Sequence, residues 1–246
     1  MKLNCDMGES FGCWKMGNDA AVMPWVDMAN IACGFHASDP DNMTATIKLA
    51  IMHKVEIGAH PGYDDKLGFG RRTIAHTSVA ITSLVAYQVG ALEALCQLQG
   101  ASVNYVKPHG ALYNDMMADT DIFCAILAAV AGLNQHRATP LKLMILARGS
   151  NQHYQQLAMA MHVELLYEAF ADRAYDDSGM LVARHVAGAV YHDSQQIRAQ
   201  VAKLAQGGVM TVTGKQLALQ VDTVCVHGDN DESIATVKAL YEDLHP

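Results

Sequence analysis

The chain of 246 residues predicts an α/β fold, a (β/α) barrel closed by seven parallel strands, on three observations. Short apolar runs alternate with amphipathic stretches along its whole length, the pattern of strands and helices wound around a parallel sheet. There are seven such runs. Almost every run ends in a loop that carries a carboxylate, an imidazole or an ammonium group, as the C-terminal rim of a barrel does, and this favours a barrel over an open wound sheet.

The runs cover 2–5, 27–32, 55–59, 102–107, 141–146, 163–168 and 223–226. After the second, Asp39 reads as an N-cap with Pro40 at the first helical position, followed by Met43, Ile47 and Ile51 on one face. The next helix begins near Thr77, buries Ile81, Leu84, Val85, Leu92 and Leu95, and stops at Gly100. A third carries Ile122, Phe123, Ile126, Leu127 and Val130 ahead of a stop at Gly132. Later helices hold Tyr154, Leu157 and Met161, then Ile197, Val201 and Leu204, and finally Ile234, Val237, Leu240 and Tyr241, with Asp229 or Asn230 as the last cap. Segments 209–213 and 216–221 flank Gly214-Lys215 and predict a small β-hairpin near the C-terminus. No Pro/Gly/Ser-rich linker or repeat divides the chain, so 1–246 is expected to be one barrel domain.

Composition narrows the function. With 25 Asp+Glu against 17 Lys+Arg, the formal charge is −8 and there is no basic block, which argues against nucleic acid as a partner. No run of 18 apolar residues occurs and the N-terminus turns polar too early for a signal-peptide core, so a cytoplasmic protein without a membrane partner is expected. Six cysteines with no CxxC pair read as reduced packing residues.

The chemistry gathers at the strand ends. The first run leads into Asn4, Asp6 and Glu9, where the two carboxylates could act on a substrate or simply cap the next segment. The second leads through Asn30 to His36 after a Gly bend. His60 is squeezed between a strand end and Pro61-Gly62, a fixed orientation that suits a ligand or proton-transfer role. Gly68-Phe69-Gly70-Arg71-Arg72 could present N–H groups and guanidinium forks to a phosphate or carboxylate, or be a plain surface turn. Lys107-Pro108-His109 ends the fourth run; Lys107 is either lowered in pKa by burial or balanced by neighbouring carboxylates. Glu168, Asp172 and Arg173 follow the sixth run, the last two as a possible ion pair, and His227 and Asp229 follow the seventh. Four histidines (His36, His60, His109, His227) thus sit beside Gly or Pro at strand ends, and a closed barrel brings them to one pocket equipped for hydrolysis.

These strings resemble the LamB/YcsF family, the A subunits of bacterial ATP-dependent 5-oxoprolinases. The matching segments are 3–10, 30–40, 58–62, 68–72, 106–114, 168–175 and 225–229, in the family's order and spanning nearly the whole chain. Two positions depart from it: Ser38 stands where the family has Gly, and Asp27-Met28 precede Ala29-Asn30 where Ser is usual. The resemblance implies a seven-stranded barrel like that of the glycoside hydrolase/deacetylase superfamily. It implies cleavage of 5-oxo-L-proline to L-glutamate coupled to hydrolysis of ATP, with Mg2+ as the counter-ion of ATP, together with separate B and C subunits. On that basis Asp6, Glu9, His60, Lys107 and His109 are the candidate catalytic residues. Asn4, Asn30, His36, Arg71, Arg72, Glu168, Asp172, Arg173, His227 and Asp229 are candidates for holding substrate or phosphate. No tightly bound metal is expected, since neither an HExxH spacing nor a Cys pair is present. The alternatives are a metal-dependent deacylase of a small amide or carbohydrate and a non-catalytic subunit that captures a small ligand. Single replacement of Asp6, His60 or Lys107 is expected to cost activity rather than stability.

Overall fold

A computed structural model of the chain describes residues 1–228 and 230–245. Its strands are β1 (Lys2–Met7), β2 (Met28–Ala32), β3 (Glu56–His60), β4 (Tyr105–Val106), β5 (Lys142–Leu146), β6 (Leu165–Phe170), β7 (Gly208–Met210), β8 (Gln216–Ala218) and β9 (Thr223–Val226). Strands β1 to β6 and β9 close a parallel barrel in that order, with β9 returning to pair with β1 through Lys2↔Thr223 and Asn4↔Cys225. Strands β7 and β8 form the antiparallel hairpin, shorter than its sequence pattern. The seven-stranded barrel is therefore as expected. Three of its strands run further: β1 continues through Asp6↔Asn30 and Met7↔Ile31, β3 takes in His60, and β6 reaches Phe170. Strand β4 is the reverse case, yet Asn104 and Lys107 still donate their N–H groups to Ile57 and Ala59, so the pairing outlasts the regular strand.

The strand alternation divides the side chains. Leu3, Cys5, Met7, Ile31, Ile57, Val106, Leu143, Ile145 and Val224 belong to the main core, between the barrel and its helices. Inside, Met28, Tyr105 and Met144 form a separate apolar plug with Leu166 against it. Gly58 is required there, because a Cβ at that position would stand 2.1 Å from the Tyr105 ring.

The helices are α1 (Asp19–Val22), α2 (Pro40–His53), α3 (Ser78–Gln97), α4 (Gly110–Ala118), α5 (Thr120–Asn134), α6 (Gln152–Ala160), α7 (Ser194–Ala205) and α8 (Asp231–Leu244). Asp39 caps α2 as expected, accepting from the N–H groups of Asp41 and Asn42, whereas Ile51 turns out to solvent. Asn230 caps α8 in a reciprocal box with Ser233. Gly132 does not stop α5, which continues to Asn134 on the strength of its buried apolar face. Helix α4 was not anticipated: it starts at Gly110 (φ +55), where a Cβ would lie 2.6 Å from the Gly70 carbonyl oxygen. Helix α3 is long and apolar enough to cross a membrane by length and composition, but it lies on the barrel with Ile81, Leu84, Val85, Val89, Leu92 and Cys96 buried. The six cysteines are free; four are buried, while Cys13 is exposed and Cys124 half-buried.

Candidate active site

Period two puts Asn4 and Asp6 on the inner face of β1, and the register Asp6↔Asn30 sets Asn30 beside them. Asn30 Nδ2 donates to Asn4 Oδ1 (2.7 Å) and Asp6 Oδ1 (2.8 Å), and its own Oδ1 accepts from the Tyr105 hydroxyl (2.7 Å). Asn4 Nδ2 donates to Thr223 Oγ1 at 3.0 Å. Above this layer lies the Lys107 ammonium, 3% exposed, at 2.8 Å from Asp6 Oδ1 and 2.7 Å from Glu168 Oε1. It also reaches Asn4 Oδ1 at 3.2 Å and Cys225 Sγ at 3.3 Å, so Cys225 is more than packing. Burial opposes its charge, but Asp6, Cys225 and Glu168 overcome that and hold its pKa well above the ordinary value. Of the two readings open for Lys107, the balanced ammonium is the one found. Burial also works against the Asp6 carboxylate, yet His60 and Lys107 hold its pKa well below the usual range.

On the other side of Asp6 the rims after β1, β2, β3 and β4 bring Glu9, His36, His60 and His109 together. His60 Nε2 is 3.3 Å from Asp6 Oδ2 and 2.9 Å from His109 Nδ1. His36 lies flat on His109, with ring centroids 3.7 Å apart and planes within 3°. Glu9 Oε1 lies 3.6 Å from His36 Nε2 and 3.8 Å from His109 Nδ1. Burial, then Asp6, raises the Glu9 pKa. The loop holding Glu9 is fixed from outside: Gly8 N donates to Asp19 Oδ2 and Gly12 N to Asp39 Oδ2. One donor atom from each of Glu9, His36, His60 and His109 lies within 4.8 Å of the other three, and Asp6, Cys225 and His227 make a second such group. The four ligands of the first group come from four different strand ends, so no short spacing in the sequence announces it, whereas Cys225 and His227 of the second stand two residues apart at the end of β9.

The remaining candidates divide. Asp172 pairs with His227, Oδ2 to Nδ1 at 2.9 Å, and not with Arg173. Against the cost of burial, Asp172 raises the His227 pKa to about 9. Arg173 is buried and donates to the carbonyls of Val182 (2.7 Å) and Ala189 (3.3 Å), bracing the loop after β6. Arg72 is held by Asp65. Arg71 stays beside the mouth, lining a cavity of about 310 Å³ with Asp172, Arg184, Tyr191 and His227. Asp229 lies outside the described residues. Tyr105, Thr223, Cys225 and Arg184 were missed; for the first three, the signal was their alternation with residues already singled out on β4 and β9.

A closed parallel barrel with carboxylates, imidazoles and one buried ammonium converging inside the C-terminal ends of its strands holds the groups that acid–base chemistry needs. The LamB/YcsF profile matches residues 1–246. The chain belongs to the LamB/YcsF family. It is 57% identical over 243 residues to a protein of Vibrio vulnificus (strain CMCP6) named as the A subunit of 5-oxoprolinase, covering 98% of this chain and 96% of that one. A protein of the same name from Pseudomonas fluorescens (strain Pf0-1) is 50% identical over 244 residues, with coverage of 99% and 96%. Among solved structures, a lactam utilization protein from Thermus thermophilus superposes with a TM-score of 0.90 at 34% identity, covering 100% of this chain and 97% of that one.

Proposed function

We propose that this chain is the ring-opening component of an ATP-dependent 5-oxoprolinase, acting with B and C subunits on 5-oxo-L-proline. The relatives named as A subunits of 5-oxoprolinase support the substrate. The observation that carries the chemistry is the Asp6 carboxylate, ionised beside the buried Lys107 ammonium at the barrel mouth. A lactam carbonyl is a poor electrophile, and ATP with Mg2+ makes it a better one by phosphorylating its oxygen. The chain has no GxxxxGK[ST] loop, so we assign that step to the partner subunits.

Water then adds to the activated carbon, passing its proton to Asp6, while Lys107 stabilises charge developing on oxygen. The ring C–N bond breaks as the nitrogen takes a proton from His227, which Asp172 keeps protonated at neutral pH. The product is an acyl phosphate, and a second water releases phosphate and glutamate. Arg71 and Arg184, beside the same cavity, suit the substrate carboxylate or the phosphate. Two waters and one ATP are consumed per ring opened. Six free cysteines support a cytoplasmic setting for the complex.

The test is glutamate production from 5-oxoproline and ATP with each subunit omitted in turn. Activity only in the complete mixture, reduced at least roughly 10²-fold by Asp6→Ala, is the expected outcome. Turnover by this chain alone would overturn the division of labour, and no glutamate from the full mixture would overturn the substrate.

A further inference from the structure

The imidazole cluster beside Asp6 leaves several buried polar atoms unmatched, and one cation would satisfy them together. The carbonyl oxygens of Lys107 and Phe69 can only accept, so His60 Nδ1 (2.6 Å) and His109 Nε2 (2.9 Å) each carry a proton. In the neutral rings the other nitrogens are then bare lone pairs, and those two nitrogens, His60 Nε2 and His109 Nδ1, face each other at 2.9 Å. Around them, both ring nitrogens of His36 and Oε1 of Glu9 are buried without a hydrogen-bond partner among the described residues. Such groups cost free energy unless something satisfies them. A single proton on His60 answers one contact and leaves His36 and Glu9 as they are.

The rings are also held in place for ligation. A Cβ on Gly62 would meet His36 Nδ1 at 2.7 Å, and one on Gly70 would meet His36 Cβ at 2.7 Å and His109 Cδ2 at 2.8 Å, so two glycines let the backbone grip the stacked imidazoles. The carbonyl contacts to His60 and His109 are the outer hydrogen bonds that orient metal-bound imidazoles.

We propose that Glu9, His36, His60 and His109 bind one divalent first-row transition ion, zinc or a metal like it. Three imidazoles and one carboxylate suit such an ion, whereas magnesium and calcium prefer oxygen ligands. Around a tetrahedral ion with bonds of roughly 2.0–2.1 Å the donors stand about 3.3 Å apart, so the widest pair draws inward on binding. The proposal replaces the expectation drawn from sequence spacing, and it does not depend on which reaction the barrel performs.

The experiment uses the full chain carrying Cys13→Ser, which removes the exposed thiol. After chelator treatment it is titrated with Co2+ and then Zn2+. One equivalent of Co2+ should bind with visible bands of low-coordinate nitrogen and oxygen ligation and no thiolate charge-transfer band. Zinc at about one hundred times its Kd should raise Tm by roughly 5–10 °C. His36→Ala and His109→Gln should each weaken binding at least about 100-fold. Failure of the unsubstituted cluster to take up either metal overturns the proposal, whether or not the variants fold. Uptake that both folded variants retain in full also overturns it, by assigning the metal to the protein surface.

Discussion

Removing the Lys107 ammonium would leave Asp6 and Glu168 facing each other across the barrel with nothing between them. Glu168 is fully buried and Lys107 nearly so, hence breaking the pair should cost about 3–5 kcal/mol, contrary to the expectation that this residue serves chemistry alone. Urea unfolding of Lys107→Met checks this, and Lys107→Met combined with Glu168→Gln should recover part of the loss because the stranded charge goes with it. A midpoint unchanged in the single variant would show that Lys107 carries no such structural share. Ser38 offers a prediction of the opposite sign. It occupies a left-handed conformation (φ 73), which is the physical reason a glycine would suit that bend. Ser38→Gly should stabilise by about 0.5–1 kcal/mol, and thermal unfolding showing a loss would reject the strain argument.

At the scale of the element, one carboxylate ties a helix to the site. Asp39 Oδ1 caps α2 while Oδ2 accepts from Gly12 N in the loop that follows Glu9. Asp39→Ala should therefore cost about 0.5–2 kcal/mol in stability and also loosen the Glu9 loop. Hydrogen exchange would show faster exchange at Gly12 as well as in the first turn of α2, and protection unchanged at Gly12 would refute the link. This helix was legible because Asp39-Pro40 is a local signal; the cap of α8 was legible only as Asp229 or Asn230, and Asn230 fills it. Helix α4 was not, because its start depends on Gly110 packing against the Gly70 backbone, forty residues away in sequence and invisible to periodicity. Gly132 misled for a related reason: burial of Phe123, Ile126, Leu127 and Val130 sustains α5 through a residue that by itself weakens a helix.

For the whole molecule, the barrel count and closure were legible in seven runs with polar ends, and so was the convergence of Asp6, His60, Lys107 and His109. The partner choices were not. Asp172 adjoins Arg173 in sequence but meets His227 through the neighbouring placement of β6 and β9. That pair sets a pH window. His227 has a folded pKa of about 9 against 6.5, so its contribution is full below about pH 6.5 and disappears as pH rises through 9. The Asp172 pKa is lowered, so its contribution is present above its ordinary value of 3.8 and is lost as pH falls. Asp172→Asn should accordingly lower Tm relative to the unsubstituted chain at pH 6, with the gap narrowing toward pH 10. A gap of constant size would deny the pair its role. The apolar shell obeys a different rule: Ile126→Ala, with no titrating group involved, should cost about 2–5 kcal/mol at any pH in that range.

The closure of β9 onto β1 also governs the order in which the protein can be made. Asn4 Nδ2 waits for Thr223 Oγ1, and Lys2 for its partner Thr223, across about 220 positions of chain. A ribosome that has delivered β1 to β6 has delivered a sheet with two raw edges, and neither edge is protected until β9 emerges. Contacts so distant in sequence make for slow folding, and the interval before they form is when an unfinished chain is open to edge-to-edge association. The barrel thus closes only after translation has passed Val226, and a product truncated before Thr223 has neither that closure nor Cys225 and His227 at the end of its last strand.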